Sequence, residues 1–303
     1  MAGMTNTKTV VVLGATGQQG GSVAAALRAD GWAVRAVVRD PSGHRARSLS
    51  AAGVETVRGD LGDPQSLRVA FSDAYGVFSV QPNSGQAGAE VTNEDEVRFG
   101  TLVADIAERC GVAHLVYSSA ITAGSTTGVG HLDTKNRVEA HIRKLDIAGT
   151  VIRPATFMEL LLAPEMGLDQ GHLSFLMRPD QTMQFIAVRD IGRIVAAVFG
   201  SPRRYVGRTM EIAGDALTGN ALAEHLTRAA GQPISYSRLP TQDEFLGKLA
   251  ALVDDGRLAG NANLDTLRTE FPSLLRFDRW LAGPGASLLD AALRSTDTGI
   301  TGH

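Results

Sequence analysis

The sequence lacks the groups on which several large classes of protein depend. Its 303 residues include a single cysteine, Cys110. One thiol excludes an internal disulfide framework, a zinc ribbon and any multi-cysteine cluster, and it suits a reducing cytosol. There is no excess of charge of either sign: 29 Lys and Arg stand against 32 Asp and Glu, a formal net charge of -3. Direct nucleic-acid binding and attachment to an acidic membrane surface are not expected from such a balance. No apolar run reaches the roughly 18 to 20 residues that span a bilayer, and the first residues lack the basic segment and apolar core of a secretory signal. The seven histidines are scattered without ligand spacing, so no metal site is expected. These absences lead to the expectation of a cytoplasmic protein whose partners are small molecules; a monomer or homodimer is expected.

Glycine, with 34 residues, is plentiful, and 44% of the chain is hydrophobic, enough for a sizeable core. Val10-Val11-Val12-Leu13 is a short β-branched run that ends at Gly14, and a helical stretch through Val23-Ala24-Ala25-Ala26-Leu27 follows. An apolar strand over residues 32–38 completes a βαβ unit. Further strands are expected over 55–58, 76–80 and 114–118, separated by helices over 47–52, 64–71 and 94–110. Strands buried on both faces and alternating with helices specify an open, doubly wound parallel sheet of the Rossmann type, because each right-handed crossover lays its helix on a sheet face.

Between the first strand and helix lies Gly14-Ala15-Thr16-Gly17-Gln18-Gln19-Gly20-Gly21. A strand feeding such a turn and then a helix gathers backbone N–H groups and the positive helix end at one spot, where a pyrophosphate would sit. Gly14 allows the tight turn, Gly17 lets a phosphate approach the backbone, and Gly20 or Gly21 lets helix and strand pack closely. Gly14, Thr16, Gly17, Gln18, Gln19 and Gly20 are therefore candidate cofactor contacts.

This turn joins Gly59-Asp60-Leu61, Lys135 within His131-Leu132-Asp133-Thr134-Lys135, Arg153-Pro154-Ala155-Thr156-Phe157-Met158-Glu159, and Val188-Arg189-Asp190-Ile191-Gly192. In that order and spacing the chain resembles the NmrA-like branch of the atypical short-chain dehydrogenase/reductase superfamily, from residue 10 to about 215. The resemblance implies a Rossmann domain that binds NAD(P) over residues 5–155, with 185–213 returning to it. It also implies a smaller, mostly helical substrate domain over 156–184 and 214–295, followed by a flexible tail at 296–303.

Cofactor choice turns on the end of the second strand. An acidic residue there would hold the ribose 2′-hydroxyl of NAD, whereas Arg39 offers a planar cationic fork for the 2′-phosphate of NADP. NADP(H) is therefore expected, with NAD(H) possible; the alternative is an exposed Arg39 with no ligand. Asp60 and Leu61 follow the third strand where related folds meet the adenine, although Asp60 also suits an Asx turn. Val80 and Gln81 end the fourth strand at the carboxyl edge, and the polar loop 82–88 follows.

Reductases of the wider superfamily use a Tyr-x-x-x-Lys pair, often helped by Ser. Here Lys135 is kept, the Tyr position holds His131, and the Ser role falls to Ser118 or Ser119. His131 is either a proton donor, kept mostly neutral by the nearby ammonium, or a helix-start residue in a site without that donor. Lys135 is expected at the ribose or nicotinamide in either case. Tyr117 is expected in the core. Pro154 and Phe157 belong to the segment that borders the nicotinamide in the resembled family. Leu160 to Leu162 with Phe157 and Met158 would wall an apolar pocket or pack between domains. Asp190 is expected to cap a helix that runs to Phe199. Two functions follow: an NADPH-dependent oxidoreductase reducing a small apolar carbonyl, quinone or enone-like acceptor, or a non-catalytic NADP(H) sensor acting through a protein partner.

Overall fold

The computed structural model describes residues 8–85, 90–122 and 124–294. Residues 86–88 of the expected polar loop, residues 5–7 and the expected tail at 296–303 lie outside the described residues. The chain divides into two compact units, Met1–Arg153 with Ile191–Met210, and Pro154–Asp190 with Glu211–His303.

The first unit alternates strand and helix: β1 (Thr9–Val12), α1 (Gln18–Ala29), β2 (Ala33–Val38), α2 (His44–Ala51), β3 (Glu55–Arg58), α3 (Pro64–Phe71), β4 (Gly76–Ser79), α4 (Asn93–Arg109), β5 (His114–Ser118), α5 (Gly130–Ile142) and β6 (Gly149–Pro154). Together with β10 (Thr209–Ile212) the strands form one seven-stranded sheet in the order β10-β6-β5-β4-β1-β2-β3. The pairs β1/β2, β1/β4, β2/β3, β4/β5 and β5/β6 are parallel. Val10, Val11 and Val12 have no exposed surface, and all five residues of β5 are buried, as strands covered on both faces require. Strand order reverses at β1, so the connections leaving β1 and β4 depart to opposite sides and open a crevice at their carboxyl ends. The fold is the doubly wound Rossmann type.

The core between sheet and helices contains Val11, Leu67, Phe71, Val103, Ile106, Leu115, Tyr117 and Val138, and Tyr117 lies in it as expected. Helix α6 (Val188–Gly200) packs backbone to backbone on α1, because a Cβ on Gly192 would fall 2.4 Å from the Ser22 carbonyl oxygen. Only glycine fits that approach, which accounts for the last residue of the Val188–Gly192 motif.

The second unit is mostly helical but also holds two small sheets that the sequence did not disclose. β7 (Thr156–Phe157), β9 (Thr182–Ile186) and β11 (Asp215–Thr218) pair in the order β11-β9-β7, and β8 (His172–Phe175) pairs with β12 (Ser235–Arg238). Its core gathers Met158, Leu161, Leu162, Met183, Phe185, Phe277 and Trp280. Helix α8 (Gly219–Ala230) contributes Leu222 and Leu226 to that core, and Val253 comes from α9 (Glu244–Asp254). Asp190 does not stand ahead of α6 as a cap. It lies in the first turn, and its Oδ2 accepts the backbone N–H of Leu275 at 2.7 Å, so the carboxylate holds a distant loop.

Candidate functional site

The glycine turn is built by close approach. Gly14 follows β1 with φ +63°, and a Cβ there would meet Val80 Cγ1 at 2.9 Å. A Cβ on Gly20 would lie 2.3 Å from the Gly14 carbonyl oxygen, so this glycine lets α1 start directly on the turn. Gly17 is the N-cap of α1 and offers no side-chain cap, and the first turn carries no acidic residue. The leading N–H groups, unsatisfied within any helix, are left facing the exposed Thr16, Gly17 and Gln18. Such a helix start suits an anion. Gln19 is tied inward: its Oε1 accepts the Ser118 hydroxyl at 2.7 Å, joining the carboxyl end of β5 to the start of α1.

Beyond β2 and β3 lies a cleft of about 440 Å³ lined by Arg39, Arg58, Gly59, Asp60, Asp63 and Ser66. Asp60 Oδ1 accepts the Gly62 N–H at 2.7 Å, which is the Asx turn that the sequence allowed, and Asp63 caps α3 by accepting the Gln65 N–H. Asp40 Oδ1 accepts both the hydroxyl and the N–H of Ser42. Those bonds, with the charges of Arg58 and Arg47, keep the Asp40 carboxyl below its usual range. Leu61 packs against the sheet core.

At the end of β4, Gln81 is buried and its Nε2 donates to Ser79 Oγ at 2.8 Å. Its Oε1 is buried with no hydrogen-bond partner among the described residues. The amide is placed between α4 and α5, since a Cβ on Gly100 would meet both Val138 and Gln81 Oε1.

Lys135 and His131 share a face of α5, one turn apart. The Lys135 side chain is 8% exposed and its ammonium forms an ion pair with Glu96, a fully buried residue of α4; Thr134 Oγ1 donates to the second Glu96 oxygen at 2.8 Å. The ring of His131 packs on the Gly85 backbone. Burial, and secondarily the Lys135 ammonium, lower the imidazole pKa, so the ring is neutral near pH 7. Ser119 donates to Glu139 at 2.5 Å, and Arg153 grips the same carboxylate with Nε at 3.0 Å and Nη2 at 2.8 Å. Burial pushes the Glu139 carboxyl up, but the bonds from Arg153 and Ser119 and the Arg143 charge bring it below its usual value. The Tyr117 hydroxyl is buried, and burial together with the Glu96 and Glu139 charges pushes its pKa well up.

The first unit thus brings the glycine turn, Arg39, Asp60, Val80, Gln81, Ser118, His131 and Lys135 to the carboxyl side of the sheet. Pro154 and Phe157 belong to the second unit, where Pro154 ends β6 and Phe157 is half-buried in β7. Met158, Leu161 and Leu162 are committed to that unit's own core, while Leu160 is 46% exposed. Glu159 accepts the Val188 N–H with both oxygens at 3.1 Å. Among the described residues no group of three His, Cys, Asp or Glu is arranged to hold a metal ion, and no helix is long and apolar enough to cross a membrane.

Sequence reasoning missed Glu96, Glu139 and Arg58 as site residues. For Glu96 a signal existed, because it heads the buried stripe Gly100, Val103, Ala104 and Ala107 on α4. Glu139 and Arg58 carried no comparable local mark.

A family model described as the NmrA-like family matches residues 6–256. An NmrA-like family domain-containing oxidoreductase, FrzB of Cladobotryum sp., is 30% identical over 261 residues, which cover 78% of each chain. Two solved structures share the fold. One is NmrA, a negative transcriptional regulator, in complex with NADP; it has a TM-score of 0.77 at 21% identity, covering 94% of this chain and 97% of that one. The other is the NADPH-dependent quinone oxidoreductase QOR2 of Escherichia coli, complexed with NADPH, with a TM-score of 0.76 at 23% identity, covering 90% and 98%.

Proposed function

The chain belongs to the NmrA-like family, and from that membership we propose that it is an NADPH-dependent oxidoreductase whose acceptor is a small, largely apolar carbonyl, quinone or enone. The observation that carries the reading is the uncapped, acid-free start of α1 on a turn that admits only glycine at residue 20. That geometry fits a pyrophosphate, and Arg39 in the neighbouring cleft fits a 2′-phosphate. The turn's N–H groups would hold the diphosphate, while Val80, Gln81 and Ser118 lie where the ribose and nicotinamide ends are expected. Glu96 engages one of the three ammonium donors of Lys135 and leaves others for ribose hydroxyls. When bound, NADPH would supply the hydride; the neutral His131 imidazole would donate a proton to a developing alkoxide and regain it from water.

The reading is tested by following NADPH consumption with a panel of quinones, aldehydes and enones. Turnover with at least one class is expected, and His131→Asn should slow carbonyl reduction about a hundredfold or more. Tight NADPH binding without turnover across the panel would overturn the enzyme reading. It would favour the second one, an NADP(H) sensor acting on a protein partner, which draws support from the imidazole at the Tyr position and the hold of Glu96 on Lys135.

A further inference from the structure

We propose that Arg58, on β3, is a second specificity-determining residue for the cofactor, closing with Arg39 on the 2′-phosphate of NADP(H). The inference rests on the NADPH reading above and adds to it a residue that neither the glycine turn nor the end of β2 contains.

The polar side chains that line the cleft differ in how far they are already engaged. Ser66 donates to the carbonyls of Asp60 and Asp63 and accepts the Asp60 N–H. Asp60 directs one carboxylate oxygen to the Gly62 N–H in the turn before α3, and Asp63 directs one to the Gln65 N–H in the first turn of α3. Arg39 and Arg58 are both exposed, and among the described residues neither guanidinium makes a hydrogen bond or a close ion pair, although the Arg58 charge reaches Asp40. Two cationic forks in the cleft are therefore without hydrogen bonds, beside carboxylates that each have one oxygen tied to the backbone.

Their backbone positions are fixed by the sheet. Val38 and Arg58 are register partners across β2 and β3, and Arg39 directly follows Val38. The strand order places these two ends beside the carboxyl end of β1 and its glycine turn. A dinucleotide whose diphosphate sits on that turn extends its adenosine ribose toward β2 and its adenine toward β3, so a group on the ribose 2′ position meets both ends. The surroundings favour an anion. Arg45 is anchored to the turn through the Thr16 carbonyl at 3.4 Å and Arg47 to the Ser42 carbonyl, while the nearby acids are each partly engaged, Asp40 by Ser42, Asp60 by the Gly62 N–H and Asp63 by the Gln65 N–H. A phosphate dianion is charged and has several acceptor oxygens, so it can take forks from two directions, whereas a ribose hydroxyl is neutral and its single oxygen cannot match a bidentate fork.

The test is equilibrium binding of NADPH and NADH to the full chain and to Arg39→Ala, Arg58→Ala and Arg58→Lys. Arg58→Ala should weaken NADPH about ten- to a hundredfold and leave NADH within about twofold, a value that also shows the variant is folded. Arg58→Lys should recover only part of the loss, because an ammonium lacks the planar fork. Equal weakening of both cofactors, or of neither, overturns the role of Arg58. If Arg39→Ala is selective for NADPH while Arg58→Ala is not, the NADPH reading stands and this inference falls. If the unaltered chain binds NADPH no better than NADH, the cofactor reading itself has failed.

Discussion

Replacing Glu96 by Gln should destabilise the protein more than any exposed charge substitution does. Glu96 has no exposed surface and the Lys135 side chain has 8%, so the ammonium has no water shell to fall back on when the carboxylate is neutralised. Removing one member of a buried ion pair costs about 3–5 kcal/mol, because a charge stays in low dielectric uncompensated. For a protein of this size that lowers the thermal midpoint by roughly 2–4 °C per kcal/mol, hence by about 6–20 °C in all. Thr134 softens the loss only slightly, since its hydroxyl also reaches the His131 carbonyl at 3.0 Å. Lys135→Met alone should cost a comparable amount, by leaving the carboxylate buried. The double variant Glu96→Leu with Lys135→Met removes both charges, and its stability should return to within about 1 kcal/mol of the starting protein. Thermal and urea unfolding of these proteins, with the Glu96→Leu single variant added, completes the cycle. A cost below about 1 kcal/mol for Glu96→Gln, or a double variant as damaged as the sum of the single ones, would refute the reasoning. The folded double variant also isolates the functional role of Lys135: loss of NADPH affinity there marks the ammonium as a cofactor contact, and full affinity marks it as structural.

Stability should also depend on acid through His114. Its Nε2 lies 2.8 Å from Thr150 Oγ1, whose own hydrogen goes to the Tyr205 carbonyl, so Nε2 carries the proton and the buried Nδ1 has no partner among the described residues. Burial lowers this imidazole from 6.5 to about 4; the unfolded chain then binds the extra proton first, and about 3 kcal/mol of stability is present above pH 6.5 and lost as the pH falls toward 4. His114→Gln should flatten that limb of a stability-versus-pH curve, and an unchanged limb would contradict the assignment. Tyr117→Phe removes a buried hydroxyl without a partner among the described residues; stability should hold or rise by up to about 1 kcal/mol, with NADPH binding unaltered, whereas loss of binding would place the phenol in the site. Gly20→Ala brings a methyl 2.3 Å from the Gly14 carbonyl oxygen, and calorimetric titration should show dinucleotide binding abolished alongside about 1–3 kcal/mol of destabilisation.

The parts of the molecule legible in the sequence are those whose signal is local. The strand β1 and its turn were readable because a β-branched run, a glycine and an uncapped helix start are consecutive and each limits the backbone directly. The five parallel strands of the βαβ series followed from the same alternation, and the strand over 114–118 was placed at the bounds later found for β5. The strands β8 and β12 were not readable: each is four residues long, and they meet across more than sixty positions, so neither contains enough alternation to stand out within a mostly helical stretch.

Glu96 shows where the site itself escaped reading. The first turn of α4 carries Glu94, Asp95 and Glu96, and acids in a first turn are favoured by the helix dipole whatever else they do. The three do different work. Glu94 makes an exposed pair with Arg137, Asp95 closes a capping box with Thr92, and Glu96 turns inward to Lys135, thirty-nine positions along the chain. Composition cannot separate them, but helical phase can: residues 96, 100, 103 and 107 lie on one face, and the last three are small or apolar. A carboxylate at the head of such a stripe must be buried, and a buried carboxylate needs a cation. Lys135 is the cation that α5, the helix packed on α4, brings to it. The lysine expected to serve the cofactor is therefore also the counter-charge that lets the two helices close over the end of β4.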